Sequence, residues 1–174
     1  MVKGLRRSLA RGTAASQQII KQTIAVRAAP LLVDGAAGVG FGSVVIGDVP
    51  EGNLLLLGAM AYFQFDSAGG QAGLVDTWNG DYSVGTTPAS DGTLTAADID
   101  IVGSTPTTVA VAEDSPRTRG AGVTATNAAI VDNTDGSLEL NLNVLIDDAD
   151  ISADDVALTA TGEVTLVYVV LGDD

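Results

Sequence analysis

The stretch SLELNLNVLI, Ser137 to Ile146, sets Leu138, Leu140, Leu142 and Val144 on one side and Glu139, Asn141 and Asn143 on the other. A period of two marks a β-strand, and this pattern predicts one that is half buried and half wet. The turn residues Asp132-Asn133-Thr134-Asp135-Gly136 lead into it, and the acidic loop Asp147–Asp155 (DDADISADD) leads out. Beyond that loop, VTLVYVV (164–170) reads as a strand apolar enough to need little alternation.

The same texture extends toward the N-terminus. LLLLGAMAYFQF (54–65) is the most apolar run, and its Gly58 predicts a bend or bulge in a long central strand. A helix is the competing reading, because Leu, Ala and Met favour helices, but the flanking aromatics and turns favour a strand. Residues 41–46 read as a strand, and 47–53 (GDVPEGN) as a turn fixed by Pro and Gly. Asn79-Gly80, set between Trp78 and Tyr82, is the strongest short-range hairpin signal. Turns are expected at 86–88, 90–92 and 104–106, short strands around 99–102 and 107–112, and an exposed loop over 114–122. Residues 17–27 (QQIIKQTIAVR) read as extended, though without clean alternation. About eight short strands and no clear helix predict an all-β body, either a jelly roll or a two-sheet antiparallel sandwich.

Charge divides the chain. Lys3, Arg6, Arg7, Arg11, Lys21 and Arg27 are its only charged residues before Asp34, and all are positive. From Ala28 onward 22 acids face only Arg117 and Arg119, a balance of −20, which with the six cations gives the net −14. We therefore expect a basic N-terminal arm over 1–27 and an acidic body over 28–174. The arm's first residues could form a short helix from Val2 to Arg11, ended by Gly12, or equally stay disordered until something is bound. A nucleic-acid role is disfavoured, since the body would repel a polyanion and no aromatics interleave the basic residues. An acidic protein surface, including a neighbouring copy, uses the charge sorting better.

With no Cys and no His, thiolate chemistry, zinc–sulfur sites and the commonest general base are excluded. No stretch is long and apolar enough for a membrane-spanning helix, and synthesis in the cytoplasm is the expectation. Gly38-Val-Gly40-Phe-Gly42 lacks the helix and Gly-Lys-Ser/Thr of a nucleotide loop. No pair of carboxylates stands out for glycoside hydrolysis. The body is thus expected to be no enzyme and to need no cofactor. Asp147, Asp148, Asp150, Asp154 and Asp155 form the densest acidic cluster, a weak candidate for Ca²⁺ without the EF-hand spacing.

The segments PEGNLLLLGAMAYFQF (50–65), LVDTWNGDYSVGTTP (74–88), DNTDGSLELNLNVLIDDADI (132–151) and GEVTLVYVVLGDD (162–174) resemble the capsid decoration, or cement, proteins of marine tailed bacteriophages. The resemblance spans most of 40–174 and rests on overall texture. It implies an all-β, commonly trimeric virion protein on the outer capsid surface, assembled in the host cytoplasm, with the major capsid protein and its own copies as partners. The six basic residues would then fasten the arm to capsid protein or a neighbouring subunit. A tail or head-fibre component, and a carbohydrate- or calcium-binding β-sandwich module, are the alternatives.

Overall fold

The computed structural model describes residues 18–35, 40–67, 73–75, 78–108, 118–122, 130–152 and 154–172, with backbone alone at 108, 118–122 and 172. They form nine strands: β1 (Ile19–Asp34), β2 (Gly40–Asp48), β3 (Gly52–Ser67), β4 (Asn79–Gly85), β5 (Val102–Thr108), β6 (Thr118–Gly122), β7 (Ile130–Asn133), β8 (Glu139–Ile146) and β9 (Val156–Gly172). Among the described residues the only helical element is a 3-10 turn, Ala96–Asp98. Every strand pairing is antiparallel, in the order β5-β4-β8-β2-β1-β9-β3-β6. Strand β7 shares the outer side of β3 with β6, taking Gly52–Leu55 while β6 takes Ala59–Phe63. The protein is all-β, with strands longer than the sequence suggests: β1 and β3 have 16 residues each and β9 has 17.

The sheet curls back on itself. Strands β8, β2, β1 and β9 separate β4 from β3 in the hydrogen-bonded order, yet Tyr82 of β4 packs edge-on to Phe63 of β3 at 5.6 Å and lies 5.8 Å from Phe65. The Tyr82 hydroxyl also donates to the Ala61 carbonyl across the interior at 3.3 Å. Leu140, Leu142, Val144 and Ile146 of β8 complete this core with Val164 and Leu166 of β9, all buried.

Two of the three register slips in the long strands bear on the sequence reading. The register of β3 against β9 slips between Leu56 and Gly58, so the expected bulge at Gly58 is present and the helical reading of 54–65 is not. Strand β1 slips against β9 between Val26 and Ala29, where Ala28 adopts φ +48° and its N–H donates to Thr161 Oγ1 at 3.3 Å. A side chain at positive φ is strained, whereas glycine is not. Ala28→Gly is therefore expected to stabilise by about 0.5–1 kcal/mol after its greater unfolded-state entropy is counted. Thermal unfolding checks this, and a lowered Tm would contradict it.

Several expectations give way to tertiary context. Asn79-Gly80 is not a hairpin turn but the start of β4, paired with Thr108 and Thr107 of β5, while Gly80 also pairs with Ile146 of β8. A methyl group on Gly80 would overlap the Leu145 carbonyl oxygen, so the glycine serves close strand approach rather than a turn. Ser104-Thr105-Pro106 lies within β5 instead of turning, and Pro106 is tolerated because β5 ends the strand order. Thr118–Gly122 is β6, not loop. The strand over 99–102 begins only at Val102, and residues 109–112 fall outside the described residues. Asn141 and Asn143, assigned to a wet face, are both buried, Asn143 beneath the segment that follows β4.

Candidate interaction surface

Lys3, Arg6, Arg7 and Arg11, with the helix considered over 2–11, lie outside the described residues. Lys21 and Arg27 lie in β1, both exposed, and the 27/28 boundary between arm and body falls at the β1 bulge rather than between separate units. Up to that bulge β1 does alternate: Ile20, Gln22, Ile24 and Val26 turn inward and Ile19, Lys21, Thr23, Ala25 and Arg27 outward. The sequence hides this because its outward positions mix aliphatic, basic and polar residues. Residues 19–26 pair with β9 throughout, and among the described residues no strand pairs the other side of β1 before Val33.

The acidic cluster has a structural role. Asp150 Oδ2 accepts the Asn79 backbone N–H at 2.8 Å and lies 3.4 Å from Asn79 Nδ2, while the Asp150 carbonyl accepts Val75 N–H at 2.9 Å. One aspartate thus fixes the entry to β4. Among the described residues no group of three or more acids, the five of this cluster included, is placed to hold a metal ion.

Among the described residues two carboxyls are shifted above the ordinary aspartate value of 3.8. Burial raises Asp100 against two opposing hydrogen bonds from Thr86, at 2.9 Å from N–H and 2.7 Å from Oγ1, with the nearby Asp98 charge adding to the rise. Burial comes first at Asp147 too, followed by the charges of Asp150, Asp81 and Asp148. Asp135 shifts down through hydrogen bonds from Ser137, chiefly that of its hydroxyl. A carboxyl with a raised folded pKa binds protons more readily folded than unfolded, so its contribution to stability grows as pH falls toward that pKa. The Asp135 contribution runs the other way and is lost only below 3.8, as pH falls through its lowered value. Acidification from pH 7 to 5, which also relieves the self-repulsion of a −14 chain, is therefore expected to raise Tm. A Tm falling steadily across that range would refute the assignment.

The outward face of β1, β9 and β3 is the most distinctive surface. Its cross-strand rows are Ile19–Val169–Leu55, Lys21–Val167–Gly58, Thr23–Thr165–Met60 and Ala25–Glu163–Tyr62. Ile19 is 64% exposed, Met60 48% and Leu57, in the bulge, 45%. Ile130 of β7, opposite Leu55, is 59% exposed. A shallow groove of about 390 Å³ runs over β9, walled by Lys21 on one side and Met60 on the other, with Thr165, Val167 and Gly58 beneath. Sequence reading missed this face because the unbroken apolar run of β9 implies cover on both sides, and its outer side is only partly covered. Comparison with known proteins finds no matching family model, no similar curated protein and no similar solved structure.

Proposed function

We propose that the protein is a non-enzymatic structural protein that decorates and stabilises a tailed-phage capsid. It would bridge capsomers from the outer surface, in homotrimers, with the major capsid protein as its principal partner. The body is read as a jelly roll, and the observation that carries this reading is the nesting of its pairings: β1 with β9, β2 with β8, β3 with β6, and β4 with β5. That is the order of one long hairpin wound upon itself, and it divides the strands into β1-β9-β3-β6 and β2-β8-β4-β5. The Phe63–Tyr82 contact joins the two sets across the interior. Such a body is a rigid platform whose interior is filled by side chains rather than by a ligand.

The charge sorting supplies the fastening. Four cations precede β1, and Lys21 and Arg27 project outward from it, on a body whose balance is −20. A contact of about 1,600 Å² repeated over a shell gives large total stabilisation from modest pairwise affinity. A mass-spectrometric inventory of purified particles tests the reading: near-stoichiometric copy number relative to the capsid protein supports it. A few copies would favour a tail or fibre part, and absence would reject both. The role of the arm is tested by deleting residues 1–17, because cutting to 27 would also strip residues paired with β9. Unchanged occupancy of that truncation on particles would reject the fastening role.

A further inference from the structure

We propose that the outward face of β1, β9 and β3 is a two-fold contact with a second copy of this chain, a contact that does not depend on the capsid reading. A sheet face left to solvent ordinarily carries polar residues, whereas this one exposes Ile19, Leu57 and Met60, continued by Ile130 on β7. The shape is self-complementary. Met60 stands as a knob beside the gap at Gly58, where an added Cβ would meet nothing within 4 Å. Knob and gap are neighbours on one strand, so a two-fold axis lying across the strands between them sets the Met60 of each copy over the Gly58 of the other. An isologous contact requires this kind of pairing, with one patch complementary to itself.

Charge selects the same occupant. Two copies of a chain with net charge −14 repel wherever their acids meet. Over the four rows from Ile19 to Ala25 this face carries one cation, Lys21, and one anion, Glu163, and is neutral. Lys21 and Glu163 flank the Thr23–Thr165–Met60 row on opposite sides. The axis that brings Met60 to Gly58 also brings Lys21 of one copy toward Glu163 of the other, twice. On these rows a polyanionic or strongly acidic partner would find Lys21 opposed by Glu163.

The contact is small. Three or four strands about 4.8 Å apart over four rows give roughly 300–400 Å² per copy, at most half the ~800 Å² per partner of a standard interface. Association is thus expected on the order of 100 μM.

Sedimentation velocity on the full chain, from about 10 μM to 1 mM at low salt, tests it. The expected result is a species of twice the mass of the smallest one present, growing with concentration. It should vanish in Met60→Glu and in Gly58→Trp, whose side chain fills open space on the surface and should leave the thermal melt near that of the parent. Lys21→Glu should weaken the doubling at least threefold, and adding Glu163→Lys should restore it. No doubling up to 1 mM, or doubling that persists in both Met60→Glu and Gly58→Trp, overturns the proposal.

Discussion

Replacing Tyr82 by Ala is expected to remove about 3–5 kcal/mol of folding stability, the usual cost of truncating a fully buried aromatic to Ala. The ring is wholly buried, packs edge-on to Phe63 at 5.6 Å and lies 5.8 Å from Phe65. What raises this site above other core positions is topology. Contacts between hydrogen-bonded neighbours are supported by their ladders, but β4 and β3 share no ladder. Side chains alone hold these two strands together across the interior, and Tyr82 lies among them. Tyr82→Phe separates the two contributions: it keeps the packing and loses the hydroxyl bond to Ala61, at a cost of about 1 kcal/mol. Against a total of 5–15 kcal/mol for a domain, the Ala variant should unfold at far lower urea. It should also lose near-ultraviolet circular dichroism before far-ultraviolet signal, as the two sets of strands separate while their ladders persist. A loss below 1 kcal/mol for Tyr82→Ala would show that the curl is held elsewhere.

What the sequence reveals and what it conceals divide along the range of the interactions. The inward set Leu140, Leu142 and Val144 is legible because strand alternation is local. The bulge at Gly58 is legible because a lone glycine in an apolar run has few other uses. Asn79-Gly80 misleads because two different needs select glycine. A turn requires positive φ, and a close strand contact requires no Cβ; here the Leu145 carbonyl imposes the second. Asn79 is held by Asp150, 71 positions away, a partner no short window contains.

The candidate surface was half legible. Charge sorting marks Lys21 and Arg27, and both project outward from β1. The apolar part was not legible, because exposure of Met60 and Leu57 depends on which side of β9 the rest of the sheet curls toward. The acidic cluster was legible as charge and misleading as chemistry, since Asp150 is engaged with Asn79.

Asn143 is the residue whose importance composition conceals most, and its removal carries the second large expected effect. It lies on the outer side of β8, fully buried, where alternation alone predicts a wet position. Its amide oxygen accepts the Ala89 N–H at 2.8 Å, and its amide nitrogen donates to the Thr87 and Asp98 carbonyls, each at 3.0 Å. Ser83 Oγ donates to the same Asp98 carbonyl at 2.7 Å, and Gly85 offers a Cβ-free seat beneath Ala97. One side chain thus pins residues 87–98 over β4 and β8. Asn143→Ala leaves three backbone groups without that partner, and at about 1 kcal/mol each, plus the void, the expected loss is about 2–4 kcal/mol. Asn143→Asp discriminates between packing and hydrogen bonding. The carboxylate fits the space but turns an acceptor toward two carbonyl oxygens, so at pH 7 it should be worse than Ala. Its folded pKa would be raised, because the protonated acid can donate where the anion repels, so lost stability should return as pH falls toward that value. Urea midpoints at pH 7 and 5, with limited proteolysis of residues 86–101, measure both effects. If Asp proves milder than Ala at pH 7, or does not improve on acidification, the pin acts through volume rather than through its donors.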